Sequence, residues 1–111
     1  MSDKVLTDKV LSLLSLAKKA GRISSGETAV LSDIRSFNSC LVLIAEDASE
    51  GTKKKFTDKS THYEVPYRIC ADKETLAHAI GQEMRSVISV NDEGFAGTIL
   101  DRLEEADING K

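Results

Sequence analysis

The sequence has few of the features that place a chain in a membrane or outside the cell. No apolar run approaches the roughly 20 residues that a membrane span requires, and nothing near the amino terminus resembles a signal peptide. Cysteine is scarce: Cys40 and Cys70 each lie at the end of a predicted strand, which favours reduced core residues over a disulfide bridge. We therefore expect a cytoplasmic protein without a membrane segment.

The sequence also lacks the motifs of common enzymes and metal sites. It contains no Cys-x-x-Cys pair, no His-x-x-x-His pair, no nucleophile elbow and no dinucleotide-binding glycine pattern. His62 and His78 lie in separate predicted elements with no cysteine at ligand spacing, which argues against a metal site. Glu46 and Asp47 are neighbours at a strand end, where adjacent side chains point in different directions, so a cap or turn role is favoured over an acid and base pair. We expect a non-catalytic protein with no cofactor and no metal.

Length and charge are typical of one compact domain with an uneven charge distribution. The 111 residues are 41% apolar, which is enough for a hydrophobic core and predicts a single domain over residues 1–111. The net charge is -3, yet residues 1–22 carry five basic and two acidic groups, and residues 50–73 carry six basic and four acidic groups. These two segments are candidates for phosphate contact, although the lysines of residues 53–59 also fit a solvated helix face.

Hydrophobic periodicity predicts alternating helices and strands. Apolar residues at helical spacing predict a helix over residues 4–20, and a Ser24 and Glu27 capping box predicts the start of a second helix over residues 25–36. The continuous apolar run at residues 40–45 predicts a central strand that is covered on both faces.

The second half of the chain continues this alternation. The expected elements are a helix over 49–61, a strand over 63–69, a short helix capped by Asp72, a buried strand over 86–90 and a last helix capped by Asn91 or Asp92. Pro66 indicates either an edge position or a strand start. Together the elements predict an α/β fold, a three-layer α/β/α sandwich with a mixed sheet of about four strands.

Ligands of open α/β sheets bind beyond the carboxyl ends of the strands, so the segment after the central strand is informative. Residues 46–52 follow that strand and do not form a glycine-rich phosphate loop, which argues against a nucleotide enzyme. Six local strings occur in a characteristic order, at residues 16–22, 25–27, 41–49, 65–67, 76–81 and 90–95. By their order and spacing they resemble the kink-turn RNA-binding superfamily of small ribosomal proteins, the L7Ae group, and its bacterial YlxQ-like branch.

The resemblance implies an α/β/α sandwich that binds sharply bent, structured RNA such as a kink-turn or ribosomal RNA. Three parts would contact the RNA: the start of the second helix, the loop after the central strand and the loop before the last strand. Family positions that carry an amide or lysine, a glutamate or glutamine, and a lysine correspond to Thr28, Ala29 and Ser32, and a frequent family glutamate falls on Ser49. The candidate RNA-binding residues are Gly26, Glu27, Thr28, Ala29, Ser32, Arg35, Ser49, Lys73, Glu83, Met84 and Arg85.

The departures from the family pattern leave two functional expectations open. Ala29 has no side-chain hydrogen-bonding group and Ser32 has no charge, and losing each such contact would cost about 1 to 3 kcal/mol. The first expectation is binding of structured RNA in a ribosomal or other ribonucleoprotein context. The second is a protein-interaction module on the same fold that has lost standard kink-turn recognition. Two candidate residues also have simpler interpretations, Met84 as filling of the core and Arg85 as an unpartnered surface residue.

Overall fold

The computed structural model of the protein describes residues 7–109, with side chains as far as Glu105. The elements in chain order are α1 (Asp8–Lys19), β1 (Ile23–Ser25), α2 (Glu27–Arg35), β2 (Leu41–Ile44), α3 (Glu50–His62), β3 (Tyr67–Ile69), α4 (Lys73–Ala79), β4 (Val87–Val90) and α5 (Glu93–Asn109). The four strands form one mixed sheet between two helical layers, so the predicted three-layer α/β/α sandwich is confirmed.

The strand directions bring the ends of three strands together. The strand order is β1-β4-β2-β3, in which β2 and β3 are parallel and β4 is antiparallel to both β1 and β2. It follows that β1, β2 and β3 run in one direction. Their carboxyl ends, together with the start of β4, form one end of the sheet, which we call the upper end; the opposite end is the lower end. The helices that follow these three strands all begin at the upper end.

The core lies on both faces of the central strand β2, because all four of its side chains are fully buried. Helices α2 and α3 pack together on one face of the sheet, and α1 packs with α4 and α5 on the other. Phe56 of α3 fills the first layer, whereas Leu14 of α1 and Ile99 of α5 fill the second. A strand covered in this way must be apolar on both faces, which is why the run at residues 40–45 predicted it correctly.

The predicted capping box of α2 is wrong. Ser24 belongs to β1, where it pairs with Ser89 of β4, and its hydroxyl donates to Asp33 Oδ2 at 2.5 Å. The N-cap is Gly26, which has no side chain to cap the helix. Strand pairing therefore overrides the local capping signal and delays the start of α2 to Glu27.

Other element boundaries agree more closely with the local sequence. Asp72 and Asp92 accept backbone hydrogen bonds as the expected caps of α4 and α5. The first helix begins at Asp8, after Thr7 as N-cap, and residues 4–6 of its predicted range lie outside the described residues. The strand expected over 63–69 is shorter, β3 beginning directly after Pro66, and its edge position is confirmed.

Within residues 7–109, no helix combines the length and the apolar character needed to cross a bilayer. Cys40 and Cys70 form no disulfide, and Cys70 is buried as expected. Cys40 is half-buried, and burial, together with the nearby carboxylates of Glu93 and Asp92, raises the pKa of its thiol.

Candidate nucleic-acid interface

The upper end of the sheet carries three helix N-termini, those of α2, α3 and α4. Free backbone N–H groups and the positive end of the helix dipole favour anions at such positions. At α3 the Ser49 hydroxyl accepts from Thr52 N at 3.1 Å, and at α4 the Asp72 carboxylate accepts from Thr75 N at 2.7 Å. At α2 no side chain makes this hydrogen bond. The first turn of α2 is therefore the helix start whose donors are most open to a ligand.

Gly26 shapes the entrance to α2. Its φ of 89° lies in the region that favours glycine, and its N–H donates to Val87 O at 3.0 Å, which anchors the turn to β4. Apart from Gly26 itself and its two neighbours in the chain, no heavy atom lies within 4 Å of the position that a Cβ would occupy. The turn thus offers an open backbone surface beside Thr28 and Ala29, which are both exposed.

The Glu27 carboxylate is committed to contacts within the protein. It accepts a hydrogen bond from Thr52 Oγ1 at 2.8 Å and pairs with Lys55 Nζ at 3.1 Å. These hydrogen bonds, that of Thr52 first, lower the pKa of Glu27. Glu27 therefore connects the start of α2 to α3. Sequence reasoning missed this connection, because no local signal links residues that are 25 and 28 positions apart.

Arg85 organises the loop before β4. Its Nε donates to Ser25 Oγ at 3.1 Å, its Nη1 to Glu83 O at 2.6 Å and its Nη2 to Gln82 Oε1 at 3.0 Å. The interpretation of Arg85 as an unpartnered surface residue is therefore wrong. Its guanidinium fork holds the loop against the end of β1, which no motif in the sequence indicated.

Met84 projects from the same loop. It is 58% exposed and has a φ of 43°, so its interpretation as core filling is wrong. An exposed, flexible thioether of this kind is available for contact with a binding partner. The neighbouring Glu83 is exposed.

The loop after β2 is tied to the start of α4. Asp47 Oδ1 accepts from Lys73 N at 2.9 Å, and Glu46 N donates to Ala71 O at 2.8 Å. These contacts bring Lys73 to the upper end, where its ammonium group has no ion-pair partner among the described side chains. Asp47 thus has the cap or turn role that its position after a strand suggested.

A shallow groove of about 470 Å³ continues from the upper end along α2. It is lined by Thr28, Leu31, Ser32, Arg35 and Ser36. Arg35 is exposed and forms no ion pair within the described part of the chain. The lining contains this cation and no carboxylate, so the groove can accept a phosphate backbone.

The lysine-rich stretch of α3 contributes less positive charge than its sequence suggests. Lys53 pairs with Glu50 at 3.7 Å, Lys54 with Asp58 at 3.1 Å and Lys55 with Glu27 at 3.1 Å. The alternative of a solvated, ion-paired helix face therefore describes these three lysines.

The structure brings the starts of α2, α3 and α4 and the 82–86 loop to one end of the sheet.

Residues 8–99 match the Ribosomal protein L7Ae/L30e/S12e/Gadd45 family. The chain belongs to this family. Two relatives are both named RNA-binding protein YlxQ. The protein from Bacillus subtilis (strain 168) is 44% identical over 92 residues, which are 83% of this chain and 92% of the relative. The protein from Enterococcus faecium is 38% identical over 96 residues, 86% of this chain and 92% of the relative.

Solved structures show the same fold. A protein of unknown function from Bacillus halodurans C has a TM-score of 0.85 and 35% sequence identity. The match covers 88% of this chain and 99% of that protein's chain. The Giardia lamblia 15.5kD RNA binding protein has a TM-score of 0.74 and 17% identity, covering 94% and 92%, so this likeness concerns the fold alone. The family resemblance inferred from the sequence strings is confirmed, and the family agrees with the expectation of a non-catalytic protein.

Proposed function

We propose that this protein is a non-catalytic RNA-binding protein that recognises structured RNA of the kink-turn kind in a ribosomal or other ribonucleoprotein context. One observation carries the proposal: the start of α2, the loop after β2 and the loop before β4 meet at the upper end of the sheet. The relatives named RNA-binding protein YlxQ support it, because the chain matches most of their length.

The proposed contacts follow from the geometry of this end. The uncapped first turn of α2 binds a phosphate through backbone N–H groups, with Thr28 as an additional hydroxyl donor. Arg35 and Lys73 neutralise phosphates, and Met84 covers an unstacked base. Arg85 acts indirectly by holding the loop that presents Met84.

The proposed recognition depends on shape more than on base edges. Ala29 and Ser32 are exposed where the family resemblance expects hydrogen-bonding and cationic side chains, so direct base readout is reduced. Backbone and 2′-hydroxyl geometry is the usual basis of recognition for double-stranded RNA. A binding experiment should therefore vary the bend of the RNA rather than its base sequence.

The decisive experiment is a fluorescence titration of the protein with a kink-turn RNA and with a straight duplex of equal length, each at two salt concentrations. The proposal expects preference for the bent RNA and weaker binding at higher salt, because neutralised phosphates release counterions. Equal affinity for both RNAs, or an affinity that does not change with salt concentration, would contradict it.

A second candidate function is a protein-interaction module on the same fold. The observation that favours it is the low positive charge of the interface. Ala29 and Ser32 stand where the family resemblance expects hydrogen-bonding and cationic side chains, and three lysines of α3 are paired with carboxylates. This candidate predicts a protein partner that remains bound after nuclease treatment. Loss of the partner with the RNA would exclude it.

We place the proposed activity in the cytoplasm. Cys40 and Cys70 are not joined in a disulfide, which is compatible with a reducing compartment. Fractionation of cells that produce the tagged protein tests this assignment.

A further inference from the structure

Three aromatic side chains form a cluster at the lower end of the molecule, where α2 and α3 end. The rings of Phe37 and Tyr63 meet edge to face, with centroids 5.4 Å apart and an interplanar angle of 65°. His62 meets Tyr63 in the same manner at 5.0 Å and 80°. Phe37 is 77% exposed, the largest exposure among the bulky apolar side chains that the structure describes. One face of its ring is therefore open to solvent.

The backbone at Phe37 adopts a conformation that favours glycine. Its φ is 63°, its N–H donates to Ile34 O at 3.2 Å, and Asn38 N donates to Asp33 O at 2.9 Å. This is a Schellman ending of a helix, in which the left-handed position is usually glycine. A phenylalanine there adds backbone strain and gains little from burial. Strained residues of this kind cluster at functional sites, which makes the exposed ring a candidate for a contact outside the fold.

The groove along α2 connects this cluster to the proposed RNA contacts. The groove begins at Thr28, near the upper end, and its last lining residue, Ser36, directly precedes Phe37. The nine residue steps from Thr28 to Phe37 correspond to about 13 Å along the axis of α2. A strand that leaves the start of α2 along this groove would pass Arg35 before it reaches the aromatic cluster.

The charges around this path favour a polyanion over a cationic partner. Arg35 lines the groove, and Lys59 lies one turn before Tyr63 on α3. Neither forms an ion pair with another described residue. Glu64 is an exposed carboxylate beside Tyr63 and opposes this charge.

Two further carboxylates, those of Asp92 and Glu93, lie near Cys40 at the start of α5, which packs on the opposite face of the sheet. Asp92 Oδ2 already accepts from Phe95 N at 2.9 Å. Because β4 ends at the lower end of the sheet, these acids lie at the same end as the aromatic cluster, at the start of a helix that packs on the face opposite the groove.

We infer that the aromatic cluster is a stacking platform for an unpaired nucleotide of the same RNA that is held at the start of α2. The inference rests on the proposed function and extends its interface by one site. The open face of Phe37 stacks on the base, and Arg35 contacts the preceding phosphate. Base stacking on aromatic rings tolerates any base sequence, as expected for a strand that is held by its backbone.

The test uses a kink-turn RNA in blunt form and with a single-stranded extension of about six nucleotides, placed on each end in turn. The wild-type protein should bind one of the extended RNAs about tenfold more tightly than the blunt RNA. The Phe37→Gly variant should lose this gain and bind the blunt RNA as wild type does. Because glycine suits a φ of 63°, this variant should unfold at the same or a higher temperature, so misfolding cannot explain the loss.

A second variant reports stacking directly. The chain contains no tryptophan, so Phe37→Trp introduces a single indole whose fluorescence a stacked base quenches. The inference expects quenching by the extended RNA and retained tight binding. Absence of quenching, or equal binding of blunt and extended RNA by the wild-type protein, would overturn it.

The outcomes separate this inference from the proposed function. If the wild-type protein binds the blunt kink-turn RNA but gains nothing from either extension, the inference fails and the proposed function stands. If the blunt RNA is not bound, the proposed function fails, and the inference fails with it. If Phe37→Gly leaves all RNA binding unchanged but abolishes a nuclease-resistant protein complex, the cluster belongs to a protein interface and the inference is overturned.

Discussion

Nε of Arg85 donates a hydrogen bond of 3.1 Å to Oγ of Ser25, which joins the loop before β4 to the end of β1 across 60 residues of sequence. The same guanidinium donates to Glu83 O and to Gln82 Oε1. One side chain therefore sets the shape of the loop that exposes Met84. We therefore expect Arg85 to affect RNA binding through the geometry of this loop.

Arg85→Lys should weaken binding of the kink-turn RNA about tenfold even though the charge is kept, because an ammonium group cannot reproduce the planar fork. The slope of affinity against salt should stay near the wild-type value, since no cation is lost. Arg102→Lys on α5 is the matched control and should bind normally. Wild-type affinity of Arg85→Lys would mean that only the charge matters.

Lys73→Ala should weaken binding of kinked and straight RNA by similar factors, because a phosphate contact carries no sequence information. The slope of log affinity against log salt should become less steep by roughly 0.7 to 0.9, the contribution of one phosphate contact. The measurement is a titration at several salt concentrations. Lys9→Ala on α1 is the control, and an equal change in that variant would show a nonspecific effect of charge.

Ser32→Lys should strengthen binding of the kink-turn RNA about tenfold at low salt and steepen its salt dependence. Ser32 is exposed and lines the groove along α2, so a lysine there meets the proposed path of the RNA without disturbing the core. Ser12→Lys places the same charge on exposed α1 as a control. If both variants gain equally, the groove is not the binding surface.

Glu27→Gln should lower the free energy of unfolding by less than about 1 kcal/mol at neutral pH, because the ion pair with Lys55 is partly exposed. Thr52 and Lys55 lower the pKa of Glu27 in the folded protein. Its stabilisation is therefore complete above the ordinary glutamate pKa and is lost as the pH falls through the lowered value.

Urea denaturation of the wild-type protein and of Glu27→Gln should be measured over a series of acidic pH values. The free energies of unfolding of the two proteins should converge as the pH falls. Glu50→Gln is the control, because the side chain of Glu50 is 94% exposed and its contact with Lys53 is longer, at 3.7 Å. A difference between Glu27→Gln and wild type that persists at the most acidic pH would refute the charge-dependent explanation.

Asp33→Ala should lower the free energy of unfolding by about 1 to 3 kcal/mol. Asp33 Oδ2 accepts from Ser24 Oγ at 2.5 Å and from Asn91 Nδ2 at 3.0 Å, so its loss leaves two partly buried donors without their acceptor. Chemical denaturation measures the change. Asp58→Ala, which removes an exposed ion pair with Lys54, should change stability by less than about 1 kcal/mol.

The sequence predicted the parts of the fold that depend on neighbouring residues. Asp72 was identified as a helix cap because a cap bonds to a backbone N–H only three residues away. The apolar run at residues 40–45 predicts a central strand, observed as β2 (Leu41–Ile44), because burial on both faces requires continuous apolar character. The Ser24 capping box failed, because pairing of β1 with β4 competes for the same segment.

Fold class, the order of most elements and the family were determined by the sequence alone, because periodicity, caps and local strings act over a few residues. Only the tertiary structure decided which candidate side chains are free to meet a ligand. It exposes Met84, commits Glu27 and Arg85 to internal contacts, and exposes Phe37, which the sequence analysis did not single out. Such contacts join residues 25 to 60 positions apart, and they form only when the chain packs in three dimensions.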